Sequence, residues 1–176
     1  MLNTFAAMTA SPFDPDAPIG SRRAIIRRNN DDLEMVELAW GLKPFAPNGR
    51  PYRFERSEGR SFPSNRCLIP ASEFHVAQNG RRYRFVLAEG DWFYLAGIWQ
   101  PGGKHWPESY AILTVAANPE VARYQERQGA VLLRHQRMDW LDATVPEAEV
   151  LQPAPTRSFR VEQIAGAEAA QQSLPL

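Results

Sequence analysis

Arg50, Arg53, Arg56, Arg60 and Arg66 fall within 17 residues and are interleaved with Tyr52, Phe54 and Phe62. Residues of these types do one kind of chemistry well. Aromatic rings stack on unpaired bases while guanidinium groups hold the phosphates, which is what a single-stranded nucleic acid requires. The same spacing suits a solvated loop whose aromatic residues anchor it to a core, and spacing alone favours that second reading. The bias toward arginine runs through the chain: 18 of the 20 basic residues are arginine, with only Lys43 and Lys104 as lysine. The planar guanidinium favours anion recognition, although a GC-rich genome would leave the same bias.

Other reactive types are scarce. Cys67 is the single cysteine, which excludes an intramolecular disulfide and a thiolate metal cluster. His75, His105 and His135 lie far apart and form no metal-binding spacing, so no metal is expected. No phosphate-binding loop, dinucleotide turn or nucleophile elbow is present, so no cofactor is expected. Twenty basic residues balance twenty acidic ones, for a net charge of zero and a pI near 6.8. A histone-like binder is thereby excluded, and any nucleic-acid site has to be a local patch. The N-terminal stretch has no basic leader and no apolar run of signal-peptide length, and no segment reaches the ~20 apolar residues of a membrane span. The expectation is a soluble, cytoplasmic protein.

The elements that would position these residues are mainly strands. Residues 23–28 and 34–40 read as strands joined at Asn29-Asn30-Asp31-Asp32, and residues 65–69, 82–88, 92–99 and 110–116 follow. Asn79-Gly80, Glu89-Gly90-Asp91 and Pro101-Gly102-Gly103 punctuate them as turns. Tyr83, Phe85 and Leu87 alternate with Arg82, Arg84 and Val86, the period of a half-buried strand. Asn118-Pro119 caps a short helix running to about Gln125; residues 135–142 and 146–151 are further helical segments, and 156–163 a last strand. The class is α+β, mostly β. One domain over residues 1–165 is expected, with a tail over 166–176 that is a frayed helix or disordered. At 176 residues and 44% hydrophobic content the chain can build a single core.

The order of segments adds a family resemblance. WGLKPF (residues 40–45), FERSE (54–58), RCLIPASEF (66–74), LAGIW (95–99), LTVAANPEVARYQERQGAVLL (113–133) and MDWLD (138–142) together resemble the SRAP family. These are the SOS-response-associated peptidases, which process abasic sites in single-stranded DNA, and the resemblance runs from about Pro18 to Asp142. It implies a curved, barrel-like antiparallel sheet with a few short peripheral helices. It also implies a cysteine, exposed once the initiator methionine is removed, whose amine and thiol close a thiazolidine on the abasic aldehyde. An asparagine, a glutamate and a histidine then position the amine and move protons.

This sequence departs from the family at all four positions. Leu2 stands for the cysteine, Phe54 for the asparagine, Val76 for the glutamate and Gln125 for the histidine. Cys67 is expected to be a buried core residue rather than a nucleophile. His75 and Glu73 are expected to have the wrong strand parity to replace the glutamate, and His105 and His135 to lie on the surface. The Met1 amine is the one reactive group left, able to form a reversible imine. The binding residues persist: by resemblance, Arg56 and Arg127 line the DNA groove, Glu58 keeps its place, and Trp40, Leu42 and Phe45 match a wedge that meets the bases. Trp40 is equally well read as a core residue. Arg60 and Arg66 are candidate contacts to the DNA backbone. The leading expectation is a protein that binds single-stranded or abasic DNA in the SOS response with its crosslinking chemistry lost. A weak lyase using the Met1 amine and a protein-interaction module are the alternatives.

Overall fold

The computed structural model describes residues 10–90 and 92–166. The tail expected over 166–176 therefore lies, apart from Gly166, outside the described residues. Its frame is a large, mostly antiparallel sheet that closes on itself. Strands β1 (Arg22–Asn29), β2 (Asp32–Trp40), β3 (Phe54–Arg56), β4 (Arg66–Ala71), β7 (Phe93–Gln100), β8 (Ser109–Ala116), β9 (Arg127–Gly129) and β10 (Val131–Leu132) belong to it. The order β7-β4-β1-β2-β8 returns to β7, which pairs with β8 as well as β4, so five strands form a ring. Two pairings are parallel, β2 with β8 and β3 with β8. A smaller sheet of β5 (Phe74–Gln78), β6 (Arg81–Leu87) and β11 (Phe159–Ala165) lies beside the ring.

Turn chemistry explains the hairpins. Asn79 and Gly80 both take positive φ, 51° and 75°, as a two-residue turn between twisted strands requires, and Gln78 pairs with Arg81 across it. Asn30 at φ 56° serves the β1–β2 hairpin. The RCLIPA run of β4 is apolar almost throughout because both of its faces are covered. Ile25, Cys67, Ile69 and Ile112 point into a cluster shared with Phe74, Phe85 and Phe159 of the small sheet. Ile26, Leu68 and Leu113 point into a second cluster, covered by Trp140 and Leu141 of helix α2 (Arg137–Leu141) and Val150 of α3 (Glu147–Val150).

The mostly-β α+β class and the single closed domain follow the sequence expectation. Three differences have local causes. Strands β3, β9 and β10 have two or three residues each, too short to show a period in the sequence. Strand β5 has five residues, in which buried Phe74 and Val76 alternate with His75 and Ala77, too few to stand out as a separate strand. Helix α1 (Pro119–Ala122), capped by the Asn118 side chain at 3.0 Å from the Val121 N–H, stops three residues before Gln125, where the chain turns into β9. No helix among the described residues is long and apolar enough to cross a membrane.

Candidate nucleic-acid interface

A cavity of about 390 Å³ lies where the ring meets the small sheet. Strand β8 is its organiser. Pairing in parallel places Arg56 opposite Thr114, and antiparallel pairing places Gly129 opposite the same threonine, so β3 and β9 flank β8 although roughly 70 residues separate them. Phe13, Pro15, Phe54, Phe74 and Leu95 form apolar walls, and Arg56, Gln125 and His75 bring polar groups to it. The Phe54 ring is 38% exposed and stands perpendicular to Trp40 and Phe13, with centroids 5.5 Å and 6.4 Å away. Two such edge contacts fix a ring that still faces solvent.

The two arginines at the cavity differ in what holds them. Arg127 donates to both carboxylate oxygens of Glu58, at 2.9 Å and 2.7 Å, and also to the Thr114 hydroxyl and carbonyl. In return the Arg127 guanidinium holds the Glu58 carboxyl below its ordinary value. The Arg56 guanidinium makes no hydrogen bond or ion pair with any described residue.

With that geometry in view, the comparisons are specific. Residues 16–167 match the model of the family described as SOS response associated peptidase (SRAP). The chain belongs to the SRAP family. A crystal structure of a Bordetella bronchiseptica protein superposes with a TM-score of 0.66 at 22% identity, covering 93% of this chain and 95% of that one. A Bacteroides thetaiotaomicron protein gives 0.63 at 21% identity, over 83% and 75%. These two share the fold. No curated protein matches the chain.

Of the four positions at which the sequence departs from the SRAP pattern, Phe54 and Gln125 line the cavity. Leu2, like Met1, lies outside the described residues. Val76 is 1% exposed and packs in the core, whereas its neighbour His75 lines the cavity, contrary to the expected orientation. On β5 the apolar Phe74 and Val76 take the core-facing side, from which Phe74 also forms part of the cavity wall, and the imidazole takes the rim. Glu73, two residues back, reaches the same rim, with a carboxylate oxygen 2.6 Å from His75 Nε2.

The expected contacts to bases and backbone sort by burial. Trp40 is 1% exposed, its indole N–H donating to the Arg53 carbonyl at 3.1 Å, so it is a core residue and cannot meet a base. Leu42 is buried as well, while Phe45 is 85% exposed beside Tyr52, 4.9 Å between centroids. Arg66 is buried: it donates to the Phe62 and Trp140 carbonyls and to Glu147, which turns its guanidinium inward, away from any phosphate. Arg60 is exposed but ion-paired to Glu55. Cys67 is fully buried, and burial pushes its thiol pKa up. His105 and His135 are exposed. Among the described residues no three His, Cys, Asp or Glu side chains are grouped to hold a metal.

Proposed function

We propose that this SRAP-family protein binds single-stranded DNA, abasic strands included, in a DNA-damage (SOS) response and forms no thiazolidine crosslink. The observation that carries the reading is Arg56, a guanidinium without a partner among the described residues, beside an aromatic cavity on a chain of zero net charge. A cation without a counterion at a concave aromatic site suits a phosphate next to a stacked base. Leu2 supplies no thiol, and Phe54 and Gln125 supply neither the amide nor the imidazole that the crosslinking chemistry uses at those two positions.

The test is incubation with single-stranded DNA carrying one abasic site, resolved on native and denaturing gels with and without borohydride. A shift on the native gel that disappears on the denaturing gel is the expected result. A shifted band on the denaturing gel without reductant would overturn the loss of crosslinking, and no native shift would overturn DNA binding. A second reading, a weak lyase through the Met1 amine, is favoured by the Glu73–His75 pair at the cavity rim, since a carboxylate-held imidazole is able to move protons. A band seen only with borohydride, which reduces an imine, would support it.

A further inference from the structure

We infer that the cavity holds one intact, unpaired nucleobase of a DNA single strand, its neighbouring phosphate on Arg56, in preference to the bare sugar of an abasic site. The inference rests on the proposed binding of single strands and names what the site takes from them. Which guest the cavity suits depends on which of its polar groups remain available.

Most are already committed to one another. Arg127 and the Thr114 hydroxyl are joined, and Arg127 is also paired to Glu58. The Gln128 side-chain Oε1 accepts from the Asn118 backbone N–H at 2.9 Å, and His75 is held by Glu73 at 2.6 Å. Two side chains have no partner among the described residues: the Arg56 guanidinium and the Gln125 amide. The remaining walls are Phe13, Pro15, Phe54, Phe74 and Leu95.

A guest matching this inventory is largely apolar and flat, carries one anion, and has an edge that both donates and accepts hydrogen bonds. A nucleobase with its phosphate meets all three conditions, the Gln125 amide offering a donor and an acceptor to the base edge. A deoxyribose without a base carries the anion and can hydrogen-bond, but it is neither flat nor largely apolar. Its hydroxyl and aldehyde groups would lose water against phenyl rings and gain too few hydrogen bonds in return. The volume, about 390 Å³, falls in the roughly 300–1,000 Å³ range of small-molecule sites. Phe54 is pinned between Trp40 and Phe13, so little rotamer freedom is lost when a base stacks on it.

The experiment compares two short fluorescein-labelled oligonucleotides with identical phosphates. One is tetrahydrofuran abasic backbone throughout; the other carries a single 2-aminopurine at its centre. By anisotropy, the base-bearing probe is expected to bind about five- to 150-fold more tightly, the range for one stacked base. Without the fluorescein label, its 2-aminopurine emission should change on binding to the unaltered protein, a readout independent of any variant. Phe54→Leu should abolish most of the difference between probes, and Arg56→Ala should weaken both alike. Equal affinities with unchanged emission would overturn the inference while leaving single-strand binding in place. Tighter binding of the all-abasic probe would assign the cavity to the sugar and overturn it too. Failure of both probes and of a longer natural strand would remove the single-strand reading and this inference together. Competition by free deoxyadenosine monophosphate as effective as by the strand would assign the cavity to free nucleotides and overturn the strand as the source.

Discussion

Arg56 and Arg127 sit at one cavity with the same side chain and different electrostatic status, and the difference is measurable. Arg56 has no counterion among the described residues, whereas the Arg127 charge is already balanced by Glu58. Each phosphate neutralised on a single strand contributes about 0.7 to the salt slope of binding. Arg56→Ala should therefore lower the slope by about 0.7, and Glu58→Gln should raise it by about the same amount by releasing Arg127. Anisotropy titrations at several salt concentrations check both. At acid pH the same release occurs in the native protein: the Glu58 carboxyl, held below its ordinary value near 4.5, protonates only as pH falls through that lowered value. Cys67 gives an independent residue-scale prediction. With no exposed surface and a thiol pushed well above its ordinary value, it should resist a disulfide reagent in native protein. It should react fully once the protein is denatured, as an absorbance assay with and without denaturant would read. The type and spacing of these residues could be read from the sequence, but their partners could not. Nothing near Glu58 in the chain points to Arg127, 69 positions away.

At the scale of elements, Arg66 shows how a residue of the right type can serve a different purpose. From the first position of β4 it donates to the Phe62 carbonyl at 2.7 Å, to the Trp140 carbonyl of α2 at 2.9 Å and to Glu147 of α3 at 2.8 Å, with its guanidinium 4.3 Å over the Trp140 ring. One side chain thus ties a strand to both helices that cover the second hydrophobic cluster. Arg66→Ala should cost about 2–3 kcal/mol in denaturant unfolding, less than a fully buried pair because Glu147 keeps contact with water. The Phe62 backbone N–H and, less strongly, Arg66 hold the Glu147 carboxyl below its ordinary value near 4.5. A depressed carboxylate stabilises above its unfolded pKa of about 4.3 and loses that contribution as pH falls through the native value. Glu147→Gln should accordingly be less stable than the parent at pH 7, with the gap closing as pH falls from the unfolded pKa through the lowered native one. The β4 strand and the helix over 137–141 were legible from apolar runs and spacing. The latch between them was not, because its three acceptors come from separate segments of the chain.

At the scale of the whole molecule, closure of the ring depends on one residue lacking a side chain. Gly97 of β7 faces Cys67 across β4 and Ile112 across β8. A Cβ there would lie 2.4 Å from Ile69 Cδ1, 2.9 Å from the Ala111 carbonyl oxygen and 3.0 Å from Cys67 Sγ. Gly97→Ala should destabilise the fold by about 1–3 kcal/mol, the usual cost of overpacking, read as a lowered Tm. A glycine inside an apolar strand signals a close approach, yet the sequence does not say what approaches. The sequence by itself determined the mostly-β class, the main strands, the helix cap at Asn118 and, through six ordered segments, the family. Each of these rests on local periodicity, turn chemistry or motif order, which a linear chain displays. Only the tertiary structure decided which charges are free, since ion pairs such as Arg127–Glu58 form between strands that β8 brings together. It also decided that Trp40 is core, and that on β5 the imidazole of His75 rather than the side chain of Val76 meets the cavity. Strand alternation fixes that neighbours face opposite ways; which way is settled by the face the rest of the fold buries, and the apolar valine takes it.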